Sequence, residues 1–205
     1  MQPLTASGVL AGVVATIAGS DESLAWRLSR DLDGVFAEVV ACFEGAVFTT
    51  ALRMSGRAAD AEDLAAETFL RAYAALRKYD PARIDELQLR PWLITICLNA
   101  WRNQVRSAAR RPAPDARLDV PEPVASGESP EDGAERHDQA DRLASMLQQL
   151  PGRQRSAVVL RHILGLPYGE VAQVLRCPEG TAKSHVSRGL AQLRVLLPDD
   201  PEVLR

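Results

Sequence analysis

The chain has 205 residues, which suits one large or two small domains, and 46% of them are hydrophobic, enough for true cores. Its formal net charge of −3 excludes a uniformly basic nucleic-acid coat, but the charge is unevenly spread. Pro112 to Arg142 holds nine acids against three arginines, whereas Leu150 to Leu197 holds seven Lys/Arg against two acids. Cys42, Cys97 and Cys177 lie far apart, and His137, His162 and His185 are isolated, so neither a disulfide framework nor a zinc site is expected. No cofactor is expected, and the absence of a nucleophile–base pair or metal-ligand spacing argues against an enzyme. No apolar run reaches the length of a membrane span, and the short apolar stretch Gly8 to Ala18 lacks the preceding basic residues of a secretory signal. A reducing cytoplasm is the expected location.

Residues 1–31 read as an extension of unknown role, with helical spacing through Leu24 and Leu28 beside Trp26. A helix is expected from Leu32 to Met54, its apolar side formed by residues such as Val35, Val39, Phe43 and Val47, and Ser55-Gly56-Arg57 ends it. Asp60 then fits an N-cap with Asp63 in the capping-box position, opening a helix over Ala61 to about Lys78. Its outer row of Asp60, Asp63, Glu67 and Arg71 reads, from the residues alone, as a solvated face with a Glu67–Arg71 pair at i,i+4. Tyr79 to Arg90 reads as a loop.

The stretch from Arg90 to Arg111 has Pro91 in its first turn and two apolar stripes, Leu93/Ile96/Cys97/Ala100 and Ile94/Leu98/Trp101/Val105. The remaining arc gathers Trp92, Thr95, Asn99, Arg102, Asn103, Arg106 and Arg110. Arginines hold phosphates, amides read base edges and an aromatic offers a stacking plane, so this arc suits a nucleic-acid surface better than plain solvation. Pro112 to about Glu135 carries five prolines and an excess of acid, and is expected to be a flexible linker.

Helical pattern resumes near Arg136. Pro151 opens a helix to Leu164-Gly165, Tyr168 to Leu175 forms a short one, Arg176-Cys177 turns, and Pro178 starts a helix to Leu197. The last helix buries Ala182, Val186, Gly189, Leu190 and Leu193 and shows Gly180, Thr181, Lys183, Ser184, Ser187 and Arg188. Two helices across a tight turn, the second carrying basic and hydroxyl groups near its start, follow the logic of a helix-turn-helix. The fold class is therefore all-α. It comprises a three- or four-helix domain (32–111), an acidic Pro-rich linker (112–137), a helix-turn-helix domain (138–197) and a tail (198–205).

Four motifs in order carry a resemblance: Asp60-Ala-Glu-Asp-Leu64 with Thr68-Phe-Leu-Arg71, Trp92-Leu-Ile-Thr-Ile96 with Asn99, Leu150-Pro-Gly-Arg-Gln-Arg155, and Tyr168-Gly-Glu-Val-Ala172 with Gly180-Thr-Ala-Lys-Ser184. From Leu32 to Leu197 the chain resembles the extracytoplasmic-function (ECF) group of sigma-70 family RNA polymerase sigma factors. The resemblance implies that Asp60, Asp63, Leu64, Glu67 and Arg71 contact core polymerase at the clamp helices of its largest subunit, with the flap taking the C-terminal domain. It implies that the Tyr79–Arg90 loop and Trp92, Asn99, Arg102, Asn103 and Arg106 recognise and melt the −10 element. Lys183, Ser184, Ser187 and Arg188 would read the −35 element, with Arg176, Gly180 and Thr181 near phosphates. The linker would thread polymerase channels. The large N-terminal region of housekeeping members has no counterpart, which implies control by a separate anti-sigma protein. Ala66, Cys97, His185 and Gly189 depart from the usual residues. The competing reading is an ordinary DNA-binding regulator whose first domain senses or dimerises.

Overall fold

A computed structural model describes residues 24–108 and 142–196. The apolar 9–18 stretch, Arg110, Arg111, the linker, Leu197 and the tail lie outside these residues. Every regular element described is helical. Helix α1 (residues 24–30) precedes α2 (Leu32–Ser55), α3 (Ala58–Leu76), the short α4 (Pro81–Asp85) and α5 (Leu89–Ala108). After the linker come α6 (residues 142–149), α7 (Gly152–Val158) running into a π-helical turn (Val159–Ile163), α8 (Tyr168–Leu175) and α9 (Glu179–Leu196).

The first body is α2, α3 and α5 packed on one another, with α1 laid against them through Leu24, Ala25 and Leu28 and an Arg27–Glu38 ion pair. It thus starts before the expected Leu32. Asp31 caps α2 by accepting the Gly34 N–H, and α2 buries Val35, Val39, Phe43, Val47, Ala51 and Met54. By length and hydropathy α2 could span a membrane, contrary to the sequence expectation, but its apolar stripe is packed into a core and Glu38 and Glu44 face outward. Gly56 ends it at φ 81°, returning its N–H to Leu52 O. The expected Asp60 cap is corrected: α3 begins at Ala58, Arg57 is the cap residue without a side-chain bond, and Asp60 lies inside the first turn, near Arg57. The tight Gly56 turn brings the chain back into helix sooner than a cap at Asp60 requires. The expected loop after α3 contains α4, where Asp80 accepts the Arg83 N–H and Pro81 starts the turn. In α5, Leu93, Ile94, Cys97, Leu98 and Ala100 are buried, but Val105 is half exposed because the helix outruns the core there.

The second body is built on α7–α9 and α8–α9 packing. Gly189 lets α9 approach α7: a Cβ there would lie 2.6 Å from Val158 Cγ2. Arg176 caps α8 in the left-handed region at φ 52°, forming the turn between the two helices.

The two bodies touch along a seam. Arg155, 8% exposed, donates through Nη1 to Met54 O (2.8 Å) and Gln148 Oε1, and through Nη2 to Gln148 O (2.6 Å) and Leu150 O (3.3 Å). Gln148 Nε2 donates to Arg53 O (3.2 Å), and Arg90 Nη2 to Leu164 O (2.7 Å). The Trp101 ring covers Gly152, where a Cβ would meet Cη2 at 3.0 Å.

Candidate nucleic-acid interface

The polar arc of α5 takes shape because the opposite stripes are pinned against α2 and α3, which fixes the helix's rotation. Trp92, Thr95 and Asn99 then line a cavity of about 490 Å³ shared with the end of α3 and with α4. Tyr79 leans on Trp92 with centroids 6.2 Å apart, and the Arg83 guanidinium lies 3.7 Å over the Tyr79 ring. Arg83 and Tyr79 are functional residues that helical spacing alone could not place; the Asp80-Pro81 start signal was the available clue. Arg102 donates to Asn99 Oδ1 (3.2 Å), and burial together with Arg153, Arg106 and Arg176 pushes its pKa below the ordinary arginine value. Asn103 and Arg106 are exposed on the continuing face. Two aromatic planes, guanidinium groups and an amide around one concavity form a fitting receptacle for an unstacked base and its phosphates.

The acidic row of α3 divides. Asp60 and Asp63 are exposed. Glu67 accepts Arg71 (Nη2, 2.6 Å) and Gln104 Nε2 (3.0 Å), so this pair joins α3 to α5 and Arg71 lines the cavity. Leu64 is wholly buried between helices, which corrects its assignment as a contact: it shapes the surface from within. On the outer side of α2 and α3 a separate groove of about 470 Å³ is lined by Val40, Phe48 and Phe69, with Glu44 and Glu62 on it.

On α9, Gly180, Thr181, Lys183, Ser184, Ser187 and Arg188 are all exposed on the leading half. Lys183 Nζ pairs with Glu179 (2.7 Å), which raises its pKa, and stands 5.5 Å from the Tyr168 ring, while Arg161 lies 4.8 Å over that ring. Ser184 Oγ donates to Gly180 O (2.9 Å), leaving its lone pairs outward. Arg176, expected beside these residues near −35 phosphates, instead lines the α5 cavity from the other body. Its position follows from the left-handed turn that ends α8.

Family models describe residues 39–111 as sigma-70 region 2 and residues 140–193 as sigma-70 region 4. The chain is similar to the ECF RNA polymerase sigma factor SigW of Bacillus subtilis, at 29% identity over 80% of this chain and 89% of that one. It is similar to the ECF RNA polymerase sigma factor EcfG of Rhodopseudomonas palustris, at 33% identity over 72% of this chain and 76% of the relative. Among solved structures it is similar to CnrH in complex with the cytosolic domain of CnrY, with a TM-score of 0.62 and 28% identity over 86% of this chain and 96% of that one. It is also similar to the sigma factor RpoE in complex with the anti-sigma factor NepR from Bartonella quintana, with a TM-score of 0.61 and 25% identity over 80% and 98%. The two helical bodies, their order and these likenesses agree: the chain belongs to the ECF group of sigma-70 family RNA polymerase sigma factors.

Proposed function

We propose that this sigma factor binds core RNA polymerase and, mounted on it, reads the −35 element with α9 while α4 and α5 open and hold the −10 strand. The observation that carries the assignment is the cavity between α3, α4 and α5, where Trp92 and Tyr79 present rings beside Asn99 and the guanidinium of Arg83. Opening a few base pairs costs a few kcal/mol. Stacking one freed base returns about 1–3 kcal/mol, so capturing one or two bases offsets the opening without nucleotide hydrolysis.

On α9, Lys183 and Arg188 supply charge, and Thr181, Ser184 and Ser187 supply adaptable hydroxyl groups to the major groove. Few phosphate contacts give only weak binding, on the order of 10⁻⁴–10⁻⁶ M at physiological salt. Polymerase makes the second contact intramolecular and thereby converts two weak contacts into a firm one. Asp60 and Asp63 suit polar contacts with polymerase, and the nearby groove at Phe48 and Phe69 suits apolar ones. By analogy with the solved relatives, an anti-sigma protein holds this chain inactive.

The test is run-off transcription with purified core enzyme on a promoter library, joined to permanganate mapping of the bubble. Asn99→Ala and Asn103→Ala are expected to leave holoenzyme assembly intact and to reduce thymine reactivity at −10. Asp63→Arg is expected to lose co-elution with core. Specific operator binding by the chain without polymerase would instead favour an ordinary regulator.

A further inference from the structure

The seam between the two bodies does more than join them. Arg155 is almost wholly buried there, and its donors reach the carbonyl of Met54 in the first body as well as Gln148 and Leu150 at the entry to the second. A guanidinium taken out of water is costly unless its donors are met, so this contact specifies one docked arrangement rather than a loose collision. Gln148 to Arg53 O, and Trp101 over Gly152, repeat the specification at two further points. The docked arrangement has a consequence for the −10 cleft: Arg176, which belongs to the helix-turn-helix, becomes part of its wall beside Asn99 and Trp92. The reading face of α9 stays exposed in the same arrangement.

We propose that the free chain shuts its own −10 cleft: the helix-turn-helix body docks on α2 and α5 through Arg155, seats Arg176 in the cleft, and must undock before single-stranded DNA can enter. The like charges gathered there, Arg102, Arg106, Arg153 and Arg176, oppose the docking. Closure is held by neutral carbonyl acceptors against that repulsion and yields to a partner that holds the bodies apart. Arg176 then serves two surfaces in turn, the cleft while the chain is free and the −35 side once undocked. The masking half of this idea rests on the −10 assignment above; the closure itself does not.

The experiment uses the full chain, wild type against Gly152→Leu, which drives a side chain into the Trp101 ring, and against Gln148→Ala, which removes the bond to Arg53. Circular dichroism establishes that each variant is folded. Small-angle X-ray scattering is expected to show the wild type more compact than either variant. Fluorescence anisotropy with a labelled single-stranded −10 oligonucleotide is expected to show about tenfold tighter binding by the variants, as when the competent population rises from about a tenth to nearly all. Equal dimensions for wild type and both folded variants would overturn closure. Expanded variants that bind the oligonucleotide no better than a wild type that does bind it would overturn masking. Expanded variants among which no chain binds the oligonucleotide would uphold closure and remove the −10 assignment.

Discussion

Cys97 sits in α5 with its thiol against α2 and Thr68, and burial pushes its pKa up to about 12. The folded chain therefore keeps the thiol protonated well above the pH at which the unfolded chain releases it. That stabilising difference is fully present below the ordinary thiol pKa of 9.0 and is lost as pH rises towards 12. Over that window denaturant titrations are expected to lose up to about 1.4 kcal/mol per pH unit from this group. Cys97→Ala is expected to flatten the alkaline limb, and an unchanged slope would assign it to other groups. Gly189 makes a second prediction at this scale. Its missing Cβ would fall 2.6 Å from Val158 Cγ2, so Gly189→Ala overpacks the α7–α9 contact. The expected loss is about 1–3 kcal/mol, read as a lower thermal midpoint, despite the better helix propensity of alanine.

For whole helices, what was legible followed from periodicity. The apolar stripes of α2, α5 and α9 and the turn before α9 stand where spacing put them, because each helix buries a single face. What spacing could not reveal was decided by neighbours. Leu64 sits within a motif that reads as a contact row, yet α2 covers it completely. Glu67 was expected to meet solvent or a partner, yet Gln104 claims one of its oxygens. Short α4 escaped notice because five residues carry too little pattern, although its Asp80-Pro81 start is plain in the sequence. On α9, Lys183→Ala and Arg188→Ala are expected to weaken −35-dependent initiation, each lowering the log–log salt slope of holoenzyme binding by about one. A slope that does not move would take that residue off the phosphate backbone. Glu179→Gln is expected to strengthen non-specific DNA binding modestly, since it frees Lys183 from its ion pair, in filter-binding assays at low salt.

Over the whole molecule, charge segregation signalled two basic bodies around an acidic strap, and the helical composition followed from the same patterns. The contact between the bodies was not legible. Arg155 looks like any solvated arginine in Pro-Gly-Arg-Gln-Arg, and its main-chain acceptors, such as Met54 O, carry no sequence signal. Carbonyl groups belong to every residue, so only the folded chain shows which ones stand unpaired at a helix end.

Those carbonyl acceptors set a rule for building chimaeras. A foreign helix-turn-helix grafted after residue 141 has to bring its own guanidinium and amide to the end of α2, or Met54 and Arg53 present their oxygens to water and the hybrid's halves drift apart. Grafts that keep Gln148 and Arg155 are expected to retain the parent's hydrodynamic size, as measured by analytical ultracentrifugation, and those that drop them to sediment more slowly. Such hybrids carry over a joint as well as a reader.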